Sequence, residues 1–219
     1  MNRLALFDCD GTLVDSGANI CTAMAMSFAD VGLPPPTDAA TRRIVGLSIF
    51  EAMQALHPEG TRAHHEALGG AYRRAFTTLR AEKRIDEPLF EGIAGALDAL
   101  DEAGWLLGIA TGKSDFGLKL CLDHHGLAGR FVTLQTADRH PSKPDPSMAL
   151  AAMAEAGAGP ETSVMIGDTR FDIAMAKAAG MLAIGVAWGY HAAEELLAEG
   201  ADRVARHPAE LAAMLEELR

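Results

Sequence analysis

Cysteine is scarce in this chain, and the three present, Cys9, Cys21 and Cys121, are an odd number whose spacings match no zinc or redox motif. A disulfide framework is therefore excluded, and a reducing cytoplasm fits best. Long hydrophobic runs are missing too. The start, Met1-Asn-Arg-Leu-Ala-Leu-Phe-Asp8, is too short in apolar residues for a signal peptide or a membrane span, and nothing later reaches the needed length. Positive charge is in deficit: nineteen Lys and Arg stand against thirty Asp and Glu, for a net charge of −11. The global field thus repels nucleic acid and acidic membranes, so neither is an expected partner, and an anionic substrate has to be attracted locally. There is no internal repeat and no low-complexity tract. What remains is 219 residues, 49% hydrophobic and 22% charged, enough for one core and a small insertion.

Short apolar runs punctuate the chain. Leu4–Phe7 ends at Asp8-Cys-Asp-Gly-Thr12, Leu106–Ala110 at Thr111-Gly112, Phe131–Gln135 at Thr136, Val164–Ile166 at Gly167-Asp168, and Leu182–Val186 before Trp188. Each reads as a buried strand followed by polar or turn residues. Helical periodicity fills the gaps: Ile93–Ala103, Phe116–His125, Met148–Ala156, Ile173–Ala179 and Glu194–Ala198, with Gly104, Gly126, Gly157 and Gly180 placed where helices end. Strand alternating with helix predicts an α/β fold, a parallel sheet covered on both faces. Residues 16–85 break the rhythm. They hold no strand-like run, and Ala23, Met24, Phe28 and Val31, like Leu68, Ala71, Tyr72, Ala75, Phe76 and Leu79, keep helical spacing. The expected organisation is a core of 1–15 and 86–219 with an all-helical insert over 16–85, and Asp86–Gly92 as the return linker.

Ligands of open parallel sheets bind beyond the carboxyl ends of the strands. The residues collected there are Asp8, Asp10, Thr111, Lys143, Asp168 and Asp172. So many carboxylates in one crevice need a cation to stay ionised, because like charges about 4 Å apart repel by roughly 4 kcal/mol at an effective dielectric near 20. All-oxygen ligands favour a hard ion, and Mg2+ is the best match. A phosphate monoester bound beside it would meet Lys143 and the Thr111 hydroxyl, while Asp8 attacks phosphorus and Asp10 serves as general acid, then general base. The Gly11-Thr12 turn would offer backbone N–H groups to the phosphoryl oxygens.

Phe7-Asp-Cys-Asp-Gly-Thr-Leu-Val-Asp-Ser16 resembles the first motif of the haloacid dehalogenase-like superfamily. Thr111, Lys143-Pro144 and Gly167-Asp-Thr-Arg-Phe-Asp172 resemble its second, third and fourth, in the same order, over essentially the whole chain. The resemblance implies a Rossmann-like core with a helical cap inserted after the first strand, Asp8 as nucleophile and Asp10 as acid/base. It implies Mg2+ on Asp8, the Asp10 carbonyl and Asp168, with Asp172 behind them, and a small phosphorylated metabolite as substrate for a monomer or homodimer. Asp10 argues against a dehalogenase. The segment Gly180–Tyr190 is similar to the phosphoglycolate phosphatase branch, which makes phosphoglycolate the first substrate expectation; Gly112 departs from the Asn usual there. Sugar phosphates, nucleotides or pyrophosphate are the other candidate substrates.

Competing readings are a phosphomutase, a receiver-like signalling module with Asp8 as stable phosphoacceptor, and a non-catalytic scaffold. The acceptor's place on the first strand and the long insert speak against a receiver. Singly, each motif has a plainer explanation: Asp8-Cys-Asp10 as a turn, Lys143 as a solvated lysine, and Asp168 and Asp172 as carboxylates sharing a helix N-terminal face. Asp15 reads as a hinge residue and Ser16 as an N-cap, although both could reach the site. Cys9 is expected to point into the core. The pairs His64-His65 and His124-His125 diverge around their helices and make poor chelates. Arg42 and Arg43 are candidates for a substrate's second anionic group.

Overall fold

Strand and helix alternate along the chain because the sequence alternates short β-type apolar runs with 3.6-residue periodicity. The computed structural model describes residues 2–217; Met1, Leu218 and Arg219, assigned to the core above, lie outside them. Six strands, β1 (Asn2–Phe7), β2 (Leu106–Thr111), β3 (Thr133–Thr136), β4 (Ala158–Gly167), β5 (Leu182–Val186) and β6 (Arg203–Ala205), form one parallel sheet. Their order is β3-β2-β1-β4-β5-β6. The chain thus winds one way from β1 to β3 and the other way from β4 to β6, and the reversal falls between β1 and β4.

Four helices, α1 (Gly17–Asp30), α2 (Asp38–Arg42), α3 (Ile49–Leu56) and α4 (Arg62–Ala81), lie between β1 and α5 (Ile93–Glu102). The others are α6 (Asp115–His124), α7 (Ser147–Ala156), α8 (Arg170–Ala178), α9 (Ala193–Glu199) and α10 (Leu211–Glu217). The period of two along each strand sorts side chains to opposite faces of the sheet. Ala5, Phe7, Ile109 and Ile166 face α5, α6 and α10, while Leu4, Leu6, Met165 and Ala183 face α7 and α8. Both faces are buried, which is why β1 reads as an unbroken apolar run. The inserted helices pack on each other instead, through Met24, Phe28, Met53 and Leu68 and through Ala23, Ala75 and Leu79.

Gly104, Gly126, Gly157 and Gly180 all adopt positive φ just past a helix. Two elements escape the sequence reading, β6 and α10. The three-residue β6 pairs with β5 alone at the sheet edge and carries Arg203 at its start, so it has too few apolar residues to announce itself. No helix among the described residues is long and apolar enough to cross a membrane. Leu97 of α5 is fully buried against the sheet, so Leu97→Ala should cost about 2–5 kcal/mol. The urea midpoint will fall accordingly; an unchanged midpoint would contradict the packing of α5.

Candidate active site

The reversal of winding opens a crevice at the carboxyl ends of β1 and β4, and it places Asp8 and Asp168 on either side. Thr111 ends β2 next door. Lys143 arrives on the loop between β3 and α7, and Asp172 sits in the first turn of α8. Asp168 precedes that helix, so the two carboxylates do not share a helix face. Carboxylate oxygens of Asp8, Asp168 and Asp172 lie within 4.8 Å of one another.

One ammonium organises this group. Lys143 Nζ donates to Asp8 Oδ1 at 2.7 Å and to Asp172 Oδ1 at 2.6 Å, with all three side chains buried. Asp172 Oδ2 accepts from the Thr169 amide and hydroxyl, so both its oxygens are engaged. Asp168 is held by the Thr12 hydroxyl at 3.0 Å and the Tyr190 amide at 2.9 Å, one bond to each oxygen. Asp8 Oδ2 is buried and has no hydrogen-bond partner among the described residues. Thr111 Oγ1 accepts from the Lys113 amide at 3.1 Å.

Asp10 has partners of its own. Its Oδ1 accepts from the Ser16 hydroxyl and pairs with Lys113 Nζ at 2.8 Å, and Lys113 also reaches Glu87 at 3.3 Å. Ser16 therefore serves Asp10 and makes no side-chain cap on α1. Lys113 is the site residue that the sequence reading passes over; its place two residues beyond the end of β2 was the available signal. The N–H groups of Gly11 and Thr12 are not free for a phosphate, because the turn takes them, Gly11 to Val14 and Thr12 to Cys9. The amides of Cys9 and Asp10 make no such bond among the described residues. Gly11 has φ +90, and a Cβ there would strike the Asp168 carboxylate. Cys9 is buried in the core, 4.0 Å from Cys121.

The inserted segment closes over the crevice. Gly46 approaches Thr169, the Ser48 amide donates to Ser142 Oγ at 2.8 Å, and a Cβ on Gly112 would stand 2.6 Å from the Leu47 carbonyl oxygen. Gly112 thus makes room for this loop. Between the insert and the core lies a cavity of about 550 Å3 that Asp10, Gly112 and Lys113 help to line. Arg42 and Arg43 do not line it: Arg43 pairs with Glu195 at 2.6 Å, and Arg42 lies over Tyr190.

Burial pushes the Asp8 carboxyl up to about 7, against the pull of Lys143 and with the help of Asp172. Burial and the charges of Asp8 and Asp172 raise Asp168 well above the usual carboxylate range. Lys143 is stabilised as ammonium, since Asp172 and Asp8 outweigh the effect of its burial. Three carboxyl groups lie together here and one ammonium contacts two of them, so the group is short of positive charge.

A sequence profile of haloacid dehalogenase-like hydrolases matches residues 5–186. The chain belongs to that family. It is 37% identical over 205 residues to a probable phosphatase, IndB, of Dickeya dadantii, a match covering 90% of this chain and 86% of that one. A phosphoglycolate phosphatase of Agrobacterium fabrum is 33% identical over 195 residues, with 87% and 82% covered. The crystal structure of a hydrolase from Pseudomonas syringae superposes with a TM-score of 0.86 at 26% identity, covering 99% of both chains.

For a haloacid dehalogenase-like hydrolase the resemblance above implies a divalent cation, and the residues fit one. The donors are all oxygens, Asp8 Oδ2 lacks a partner, and each Asp168 oxygen has spent only one acceptor site. Asp172 is already satisfied. The raised Asp8 pKa means that the folded state holds that proton more tightly than the unfolded chain does. Its contribution is full below the ordinary value of 3.8 and is lost as pH rises through about 7. Added Mg2+ should therefore raise Tm more at about pH 8, where the Asp8 proton has already left, than at about pH 5. An equal shift at both values would contradict binding at these carboxylates.

Proposed function

We propose that this chain is a Mg2+-dependent phosphatase of small phosphomonoesters that works through a phosphorylated Asp8. The observation that carries the reading is the state of Asp8: one oxygen is fixed by Lys143, and the other is buried, unpartnered and placed at the switch point of the sheet. Family membership and the phosphatase names of the relatives support the same chemistry.

Asp8, the Asp10 carbonyl and Asp168 would hold the ion, with Asp172 fixing Lys143 behind them. Bound there, Mg2+ would neutralise charge on the phosphoryl oxygens. In the first step an Asp8 oxygen bonds to phosphorus as the bond to the leaving oxygen breaks, and Asp10 gives that oxygen its proton. In the second step Asp10 takes a proton from water as the water oxygen bonds to phosphorus and the Asp8 link breaks. Lys143, the Thr111 hydroxyl and the amides of Cys9 and Asp10 supply positive potential to the phosphoryl oxygens. Lys113 and Ser16 aim Asp10.

Residues 16–85 act as a cap on the core formed by 1–15 and 86–219. Asp8 is only 1% exposed, so the loop at 45–48 has to lift for exchange of substrate and product, and its return excludes water. Phosphoglycolate, named for the Agrobacterium relative, is the reference substrate. Phosphate release from p-nitrophenyl phosphate should require Mg2+ and vanish on chelation. Asp8→Asn should reduce it to background, and Asp10→Asn by about 10²–10⁴-fold. Turnover that survives in Asp8→Asn would overturn the assignment of the nucleophile.

A further inference from the structure

The cavity above Asp10 is far roomier than phosphoglycolate requires. That molecule is a phosphate and a carboxylate joined through one methylene, whereas about 550 Å3 lies in the range of roughly 300–1,000 Å3 that holds drug-sized ligands. Its outer wall is one face of α4. Tyr72, Arg73, Phe76, Thr77 and Arg80 recur at helical spacing and all line the cavity. Facing them from the first turn of α6 is Phe116, a large apolar side chain left 66% exposed, with the Arg80 guanidinium 5.9 Å from its ring centre.

The arginines of α4 divide by direction. Arg62 pairs with Glu66 at 2.8 Å and Arg74 with Asp30 at 2.6 Å, both away from the cavity. Arg73 and Arg80, which line it, form no ion pair among the described residues. The acidic groups on the cavity wall are themselves engaged: Asp10 and Glu87 with Lys113, and Asp138 with the Asp115 amide. Two uncommitted guanidinium groups beside aromatic surface, in a chain of net charge −11, form a local receptor for a flat anion.

We infer that the cavity receives the leaving group of a bulky phosphomonoester, a flat ring bearing a second negative charge that Arg73 and Arg80 bind. This rests on the phosphatase reading and replaces phosphoglycolate as the substrate class.

The test uses a matched pair, orotidine 5′-monophosphate and uridine 5′-monophosphate, which differ by one ring carboxylate, with phosphoglycolate and p-nitrophenyl phosphate alongside. The wild type should prefer the orotidine nucleotide in kcat/KM by about tenfold or more, and should prefer both nucleotides to phosphoglycolate. Rising salt should erode that preference. In Arg73→Gln/Arg80→Gln the ratio should fall to near unity while melting stays cooperative. A wild type that hydrolyses p-nitrophenyl phosphate yet shows no orotidine preference, or favours phosphoglycolate, overturns the cavity assignment alone. A ratio unmoved in the double variant overturns the role of the arginines. A wild type inert toward every phosphoester with Mg2+ present sinks the phosphatase reading and this inference with it.

Discussion

A single buried ammonium, Lys143 between Asp8 and Asp172, is the contact on which the site depends. Removing one partner from a buried ion pair strands the other charge, which typically costs about 3–5 kcal/mol. The arrangement persists because each carboxylate has further support: Asp172 from Thr169, and Asp168 from Thr12 and Tyr190. Only Asp8 keeps an oxygen without support. That oxygen carries a cost in the resting protein and is the acceptor left open to the proposed cation, a pairing expected where stability is given up for function.

The fold supplies what the ammonium cannot. A parallel sheet gathers the carboxyl ends of β1, β2 and β4 on one side, and the change of winding between β1 and β4 leaves the gap where Asp8 and Asp168 meet. The insert completes the enclosure through contacts that need little side chain. Gly46 and Gly112 let two loops approach backbone to backbone, and Ser48 ties the loop to Ser142 beside Lys143. The second, third and fourth motif loops thus all touch residues 46–48, so the insert is tied directly to the loops around Asp8.

Much of this was legible in the sequence because it depends on local pattern. The five longer strands, the core helices other than α10 and the strand-free insert follow from periodicity, and the placement of Asp8, Thr111, Lys143 and Asp168 in one crevice follows from the rule that parallel strands converge at their carboxyl ends. What stayed hidden depends on distant contacts or exact turn geometry. The Lys113–Asp10–Glu87 group joins three separate segments. The loss of the Gly11 and Thr12 amides to their own turn follows from its hydrogen bonds, and the reason for glycine at 112 lies in a loop more than sixty residues earlier. Arg42 and Arg43 looked suited to an anion by type, but they point to Tyr190 and Glu195, while Arg73 and Arg80 face the cavity.

The central claim is that the phosphoryl group passes through Asp8. Acid-quenching the wild type during turnover of a labelled phosphomonoester, then reducing with borohydride, converts an aspartyl phosphate to homoserine that peptide mass spectrometry can locate. The account predicts homoserine at position 8 and nowhere else, at a level that rises and falls with turnover. Steady hydrolysis with position 8 always recovered as unmodified aspartate, or with the label on another residue, would contradict it.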